Sequence, residues 1–220
     1  MSYLQKIENA LLVLLAVTLV STLIIGLVSP EYFELTYAAE DGLIEYGTSL
    51  LLMTASLALF WRAYLSDGMT SFLLGLYSLL FIFAAGEEIS WGQRIVGWES
   101  SEFFLEHNRQ YETTIHNLVV GGEQLASTLF GSFLTVMLLL YLIVLPLTYG
   151  HIGWITTLSR RLAVPVPHKR YAVAALMTTL VIVMISAPRK WEAYEFAFAI
   201  MSLAIFLVPQ NRKELGSAES

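Results

Sequence analysis

Six apolar stretches, separated by short polar or Pro- and Gly-bearing intervals, organise this chain. The first predicted helix covers about residues 8–28 and stops at Ser29-Pro30, where proline has no N–H to continue the ladder. A connector over 31–42 carries Glu31, Glu34, Glu40 and Asp41 and no Lys or Arg. The second helix runs from Leu43 to Leu65 with Glu45 in its first turn, and Ser66-Asp67-Gly68-Met69-Thr70 reads as a tight turn. The third starts near Ser71, and its helical pattern continues to Ile95 or Val96. A polar segment, 97–115, follows. Within it Ser100–His107 reads as a short amphipathic helix in the membrane interface, with Phe103, Phe104 and Leu105 toward lipid. The fourth helix is predicted from Thr114 or His116 to Leu145, the fifth over Tyr171–Ile185 and the sixth over Trp191–Val208. Gly121-Gly122 marks a break or close contact near the start of the fourth, and a basic loop fills 149–170.

Composition turns these stretches into membrane spans. The chain is 56% apolar and 14% charged, whereas soluble domains run near ~45–50% and ~25%. Several runs reach the roughly 20 residues that cross a bilayer. The fold class is therefore all-α, a polytopic membrane helix bundle of about six transmembrane helices. Residues 1–210 form one transmembrane domain, and 211–220 a polar, disordered tail. The first apolar run exceeds the about 7–15 residues of a signal-peptide core and lacks a cleavage pattern, so it is read as an uncleaved span. Without cysteine, disulfides, thiolate metal sites and cysteine nucleophiles are excluded. No phosphate-binding Gly-rich loop or dinucleotide fingerprint is present, and no nucleic-acid partner is implied.

Charge orients the bundle. With both termini in the cytoplasm, the inner side holds Lys6, Arg62, Arg160, Arg161, Lys169, Arg170, Arg212 and Lys213. The outer side holds only Arg94, Arg109, Arg189 and Lys190, a positive-inside bias that predicts N-in and C-in. Of the acids, only Glu8, Asp67, Glu214 and Glu219 fall inside. At about 1.5 Å per residue, Glu45, Glu87, Glu192 and Glu195 all lie some 20–25 Å from the inner ends of their helices. His116 and Glu123 open the fourth helix at the same level. Several helices thus bring carboxylates to one depth beneath the outer headgroups.

Glu45, Glu123 and Glu192 sit in first turns, where the helix dipole favours an anion. Glu87 and Glu88 do not. They end the third helix, where the dipole opposes them, and adjacent carboxylates repel unless a proton or cation intervenes. Helical spacing puts Glu87, Ser90, Trp91 and Arg94 on one face and turns Glu88 about 100° away. Two readings of Glu87 follow: a structural contact with Arg94 beside an interfacial Trp91, or an intramembrane acid retained for function. A continuous helix would also stack Glu112, His116 and Glu123. Carboxylates and an imidazole from facing helices are how bundles hold zinc, manganese or iron, although the di-iron spacing Glu-x-x-His is missing. The outer cations either pair with these acids or hold a lipid phosphate.

Gly86-Glu87-Glu88-Ile89-Ser90-Trp91-Gly92-Gln93-Arg94, then Asn108-Arg109-Gln110-Tyr111-Glu112 and His116-Asn117, resemble a group of bacterial multi-pass inner-membrane proteins, as does Glu40-Asp41-Gly42-Leu43-Ile44-Glu45-Tyr46. The likeness covers about residues 38–125. It implies a bacterial inner-membrane protein and brings no activity with it.

The residues read as chemistry are Glu87, Glu88 and Arg94 as catalytic groups and Glu45, Glu87, Glu88, His116 and Glu195 as ligands of a divalent metal. Trp91, Gln93, Arg94 and Asn117 complete the set as contacts to a lipid-like substrate. The leading expectation is a metal-dependent membrane enzyme. A proton- or cation-coupled carrier, or an accessory subunit docking a protein partner, would use the same acids, but no acid lies in the inner half of any span to continue a pathway.

Overall fold

The computed structural model describes residues 2–115, 117–124 and 132–215. Helix α1 (Tyr3–Val28) begins with a capping box, in which Ser2 Oγ accepts the Gln5 N–H and Gln5 Oε1 accepts the Ser2 N–H at 2.8 Å. A helical connector, Pro30–Tyr37, follows, and Tyr37 Oη lies 2.9 Å from Thr22 Oγ1 of α1.

Helices α2 (Leu43–Tyr64) and α3 (Gly68–Glu88) form a tight antiparallel hairpin. Small hydroxyl residues let the two backbones approach and tie them. Ser56 Oγ donates to Ser78 O at 2.8 Å, Ser78 Oγ returns to Ser56 O at 3.1 Å, and Ser49 Oγ donates to Ala85 O at 2.8 Å.

After α3 come two short helices, α4 (Gln93–Val96) and α5 (Glu102–His107), and a two-residue antiparallel ladder of β1 (Val119–Val120) with β2 (Glu123–Gln124). Gly121 and Gly122, at φ 64° and 87°, make the turn that such a short hairpin requires. Helix α6 runs from Ser132–Leu139 through a π-helical Leu140–Val144 into Leu145–Thr148. Amphipathic α7 (Gly153–Arg161), α8 (Lys169–Met184) and α9 (Lys190–Leu207) complete the bundle.

Helix α9 is the axis. It is buried continuously from Ala199 to Phe206 and packs against α1, α2 and α8. A helix apolar on every side belongs inside a bundle. Arg62, near the end of α2, donates through Nε to Phe206 O at 2.7 Å and through Nη2 to Leu207 O at 2.8 Å. The C-termini of α2 and α9 therefore lie together, and so do their N-termini, where Gly47 leaves no room for a Cβ beside Phe196. At this second end α1 and α8 also finish, with Gly26 against Ile185. One end of the bundle is thus basic and the other acidic.

Helices α1, α2 and α3 are long and apolar enough to cross a bilayer, which marks a membrane protein, and a shorter apolar helix spans Val136–Thr148. Exposed aromatic residues cluster at both ends, with Tyr3, Trp61, Tyr64 and Trp154 at the basic end and Trp91, Trp98 and Trp191 at the acidic end. These are positions for interfacial belts. Along α2 the interval from Tyr46 to Tyr64 spans about 27 Å at the helical rise, close to the hydrocarbon thickness.

The structure corrects three boundaries. The third helix stops at Glu88 rather than Ile95, because Ser90, Trp91 and Gly92 take left-handed φ values of 48°, 54° and 77°. Among the described residues from Thr114 to Gln124 none is helical. Asn108 Nδ2 donates to Thr114 O at 2.8 Å and holds a fully buried Thr114 in an irregular turn. Residues 211–215 do not belong to a disordered tail. Arg212–Leu215 form a 3-10 turn, Asn211 Oδ1 accepts the Val166 N–H at 2.9 Å, and Ser66 Oγ donates to Leu215 O at 2.8 Å. The short helix predicted over Ser100–His107 is present as α5, beginning at Glu102.

Candidate functional site

Two layers of charge meet at the acidic end. The outer layer is a latch centred on Arg94. Its Nη2 donates to Glu40 Oε1 at 2.7 Å, its Nη1 pairs with Asp41 Oδ2 at 2.6 Å, and its Nε donates to Glu112. Glu112 is only 8% exposed and also accepts from Ser90 Oγ. Arg189, one residue before α9, donates to Glu40 Oε2 at 2.8 Å, and Gln110 Nε2 donates to Glu40 Oε1 at 2.7 Å. Two guanidinium groups and four polar segments are thus cross-linked through a single connector carboxylate.

These partners set the charges. The Arg189 hydrogen bond, reinforced by Arg94, holds the Glu40 carboxyl below its usual range despite partial burial. Burial alone would lower the Arg94 pKa, but the hydrogen bonds it donates to Glu112, Glu40 and Asp41 outweigh burial and raise it.

Beneath the latch, the end of α3 folds back on itself. The left-handed turn at Ser90-Trp91-Gly92 lays the indole of Trp91 over Gly86, and Trp91 Nε1 donates to Glu87 Oε1 at 2.9 Å. Glu87 Oε2 accepts the Ile115 N–H at 2.7 Å. The run Gly-Glu-x-x-x-Trp-Gly is therefore one device. Gly86 provides the space, Glu87 the acceptor, and Gly92 the return. A Cβ on Gly86 would sit 2.8 Å from Trp91 Cε3, against a ring that has little freedom to give way. Gly86→Ala is expected to destabilise the protein by about 1–3 kcal/mol, as overpacking does. The accompanying sign is a red shift of Trp91 fluorescence as the indole swings out, which thermal melting with emission spectra checks.

The inner layer is the carboxylate cluster. Glu88 from α3 and Glu192 and Glu195 from α9 bring ligand oxygens within 4.8 Å of one another. Glu45 from α2 and the neighbouring Glu87 add like charge around Glu88. Glu45 Oε2 accepts the Asp41 N–H at 2.5 Å, which links this layer to the latch. Three carboxylates this close repel one another unless protons are shared or a cation sits between them. Directly below, Leu52, Ala85 and Ala199 form a buried apolar floor.

The structure thus sorts the residues named from the sequence. Glu88 and Glu195 join in one oxygen cluster, and Glu192, placed at the same depth from the sequence but not named a ligand, joins them. Glu87 turns away to Trp91 and Ile115. The expected Glu87–Arg94 contact is not made, because the left-handed turn breaks the helical face that would have aligned them. His116 lies outside the described residues. The continuous helix that would stack Glu112 and Glu123 with it is absent at both of those residues, since Glu112 lies in a turn and the Glu123 backbone in β2.

Of the predicted substrate contacts, Gln93 Oε1 accepts from Ser100 Oγ and the Thr113 N–H, and Asn117 Nδ2 donates to Gln110 Oε1. With Arg94 held by three acids and Trp91 by Glu87, all four are engaged inside the protein. Sequence reasoning placed Glu40, Asp41, Glu112 and Arg189 near the site without naming them part of it. The signal that would have found them is the excess of acid over base in the connector.

No family model matches this chain, nor does any curated protein or solved structure.

Proposed function

We propose that this is a bacterial inner-membrane protein of six spans, with both termini cytoplasmic and the acidic end at the periplasmic face. In this reading the acidic end is the divalent-cation site of a hydrolase or transferase acting on a lipid or lipid-linked substrate. The observation that carries the proposal is the meeting of Glu88, Glu192 and Glu195 within 4.8 Å, from helices far apart in sequence. A donor set of oxygens alone suits magnesium or manganese better than zinc. Such an ion polarises a phosphoryl or acyl oxygen and supplies an activated water.

The protein's own residues do the rest. Glu88, Glu192 and Glu195 hold the ion, and Glu45 is placed to take a proton beside it. The latch ties α4 and the 110–112 turn to the connector, and exposed Trp91 and Phe83, edge-to-face at 5.7 Å, give this end an aromatic surface suited to the lipid interface. The floor of Leu52, Ala85 and Ala199 closes the site from below. That closure favours chemistry at the membrane surface over passage of an ion through the bundle.

Metal analysis and thermal melting of the detergent-purified protein test this. Manganese at a hundred times its dissociation constant is expected to stabilise wild type by about 2.7 kcal/mol. Glu88→Gln and Glu192→Gln lose that shift and bind manganese at least about 100-fold more weakly, which is the same ~2.7 kcal/mol. In chelator, however, each melts above wild type, because a repelling charge has gone. Release of label from membrane lipid by wild type but not by Glu88→Gln would establish the reaction. Wild type that binds no divalent ion, or variants that bind it equally well, would refute the site.

A further inference from the structure

At the opposite, basic end of the bundle a cleft of about 470 Å³ lies between the starts of α1 and α8 and the end of α9, lined by Gln5, Glu8, Asn9, His168, Arg170 and Val208. Its centre is a buried anchor. Glu8 is 1% exposed, and its carboxylate accepts from Arg170 Nη2 and, at 2.7 Å, from Tyr171 Oη. A carboxylate so enclosed fixes the guanidinium that pairs with it. Arg170 itself is not enclosed, since its side chain is 43% exposed.

The Arg170 guanidinium donates through Nη2 to Glu8 and lies 5.6 Å from the centroid of the Tyr171 ring, whose hydroxyl it also faces. Nη2 carries two N–H bonds, so the edge that Glu8 does not occupy keeps a pair of parallel donors, one from Nη2 and one from Nε or Nη1, of the kind that grips a phosphate or carboxylate. Gln5 Oε1 is spent on the Ser2 N–H, which leaves the Gln5 amide Nε2 as a donor on the same wall.

The surroundings favour an anion. Lys169 is exposed beside Arg170, and α8 begins there without a side-chain cap on its first N–H groups. The positive end of the helix dipole therefore adds to the cleft. Burial, with Arg170 next, pushes the His168 imidazole below its usual range, and its hydrogen bond with the Val208 backbone ties the ring to the end of α9. Amphipathic α7, with Trp154 and Leu158 exposed and Arg160 and Arg161 at its end, lies at this same end of the bundle. An aromatic-and-basic helix of this kind rests in the headgroup layer.

We propose that this cleft is a phosphate-binding site whose ligand is the headgroup of an anionic phospholipid, with the free edge of Arg170 as its charged contact and Gln5 as a neutral donor. The site is independent of the carboxylate cluster at the other end. The Glu8–Arg170 pair supports the ligand contact by fixing the plane of the guanidinium.

The test uses the whole protein, purified in neutral detergent, and follows binding by native mass spectrometry and thermal shift. The probes are phosphatidylglycerol, phosphatidylcholine and inorganic phosphate. Wild type is expected to retain phosphatidylglycerol at least tenfold more tightly than phosphatidylcholine. Arg170→Lys keeps the charge and the Glu8 partner but loses the fork. Gln5→Glu keeps the capping oxygen and the ion pair but replaces the amide donor with a carboxylate oxygen. Each is expected to cut phosphatidylglycerol binding three- to tenfold without changing the melting temperature of the lipid-free protein. Inorganic phosphate that competes with the lipid, and binds as tightly as it does, would assign the site to free phosphate instead and overturn the lipid source. Phosphatidylglycerol binding unchanged in both variants, or no preference over phosphatidylcholine, would overturn the proposal.

Discussion

Arg94→Gln is expected to release the 93–124 segment from the bundle while leaving the helices folded. The substitution removes the one cation shared by Glu40, Asp41 and Glu112. Breaking a buried pair by deleting one partner costs roughly 3–5 kcal/mol. Arg94 is 23% exposed, so solvent screens part of that loss and about 3 kcal/mol is expected here. Most of the cost falls on Glu112, which stays buried with Ser90 as its remaining donor. The core around α9 shares no residue with the latch, so the opening is local. Hydrogen exchange should show faster exchange confined to 93–124, and limited proteolysis should cut there. Arg94→Lys, which keeps the charge without the fork, should recover part of the protection.

Acid should reproduce the effect. The Glu40 carboxyl is held below its usual range by Arg189 and Arg94. A depressed carboxylate stabilises the folded state above its unfolded pKa, and this is lost as pH falls through the lower folded value. Protection of 93–124 is therefore expected to be full at neutral pH and to fade only under distinctly acidic conditions. Loss of protection near neutral pH, or exchange spreading through α2 and α9 in Arg94→Gln, would contradict the latch.

The readable and the unreadable parts of this site differ in kind. Apolar length alone located α1, α2 and α3, because a span needs its backbone bonds satisfied internally and leaves a long uniform run. Depth counting then brought Glu45, Glu87, Glu192 and Glu195 to one level. The latch escaped that reading, since its members come from a connector, a turn and the residue before α9, and a helical wheel carries no information about such contacts. The end of α3 was misjudged for a related reason. Ser90 and Trp91 have ordinary helical propensity, and only the indole stacked on Gly86, with the bond from Ser90 to Glu112, forces them left-handed. Thr114 and Ile115 read as the start of a helix until Asn108 is seen holding Thr114 in a turn.

Arg62→Met tests whether the carboxylate cluster depends on the far end of the bundle. The guanidinium caps the last turn of α9 on Phe206 O and Leu207 O, two acceptors that a helix C-terminus otherwise leaves unmet. Each buried acceptor left without a donor costs about 1–3 kcal/mol. Some of this is offset because methionine avoids the cost of burying a charge. A net loss of about 2–4 kcal/mol of stability follows from those two opposing effects. The functional consequence is registry. Helix α9 carries Glu192 and Glu195 at one end and its Arg62 contact at the other, about 16 Å along the helix from Glu195. If Arg62 sets the height of α9 against α2 and α3, its loss lets α9 slide and spreads the three oxygens. Manganese affinity should then fall by about 3–10-fold, equivalent to ~0.7–1.4 kcal/mol, in a variant that touches no ligand. Arg62→Lys keeps one donor head in the same place and should restore most of both losses. A variant that loses stability yet binds manganese as tightly as wild type would show that the acidic end holds its own geometry through Ser49, Gly47 and the latch alone.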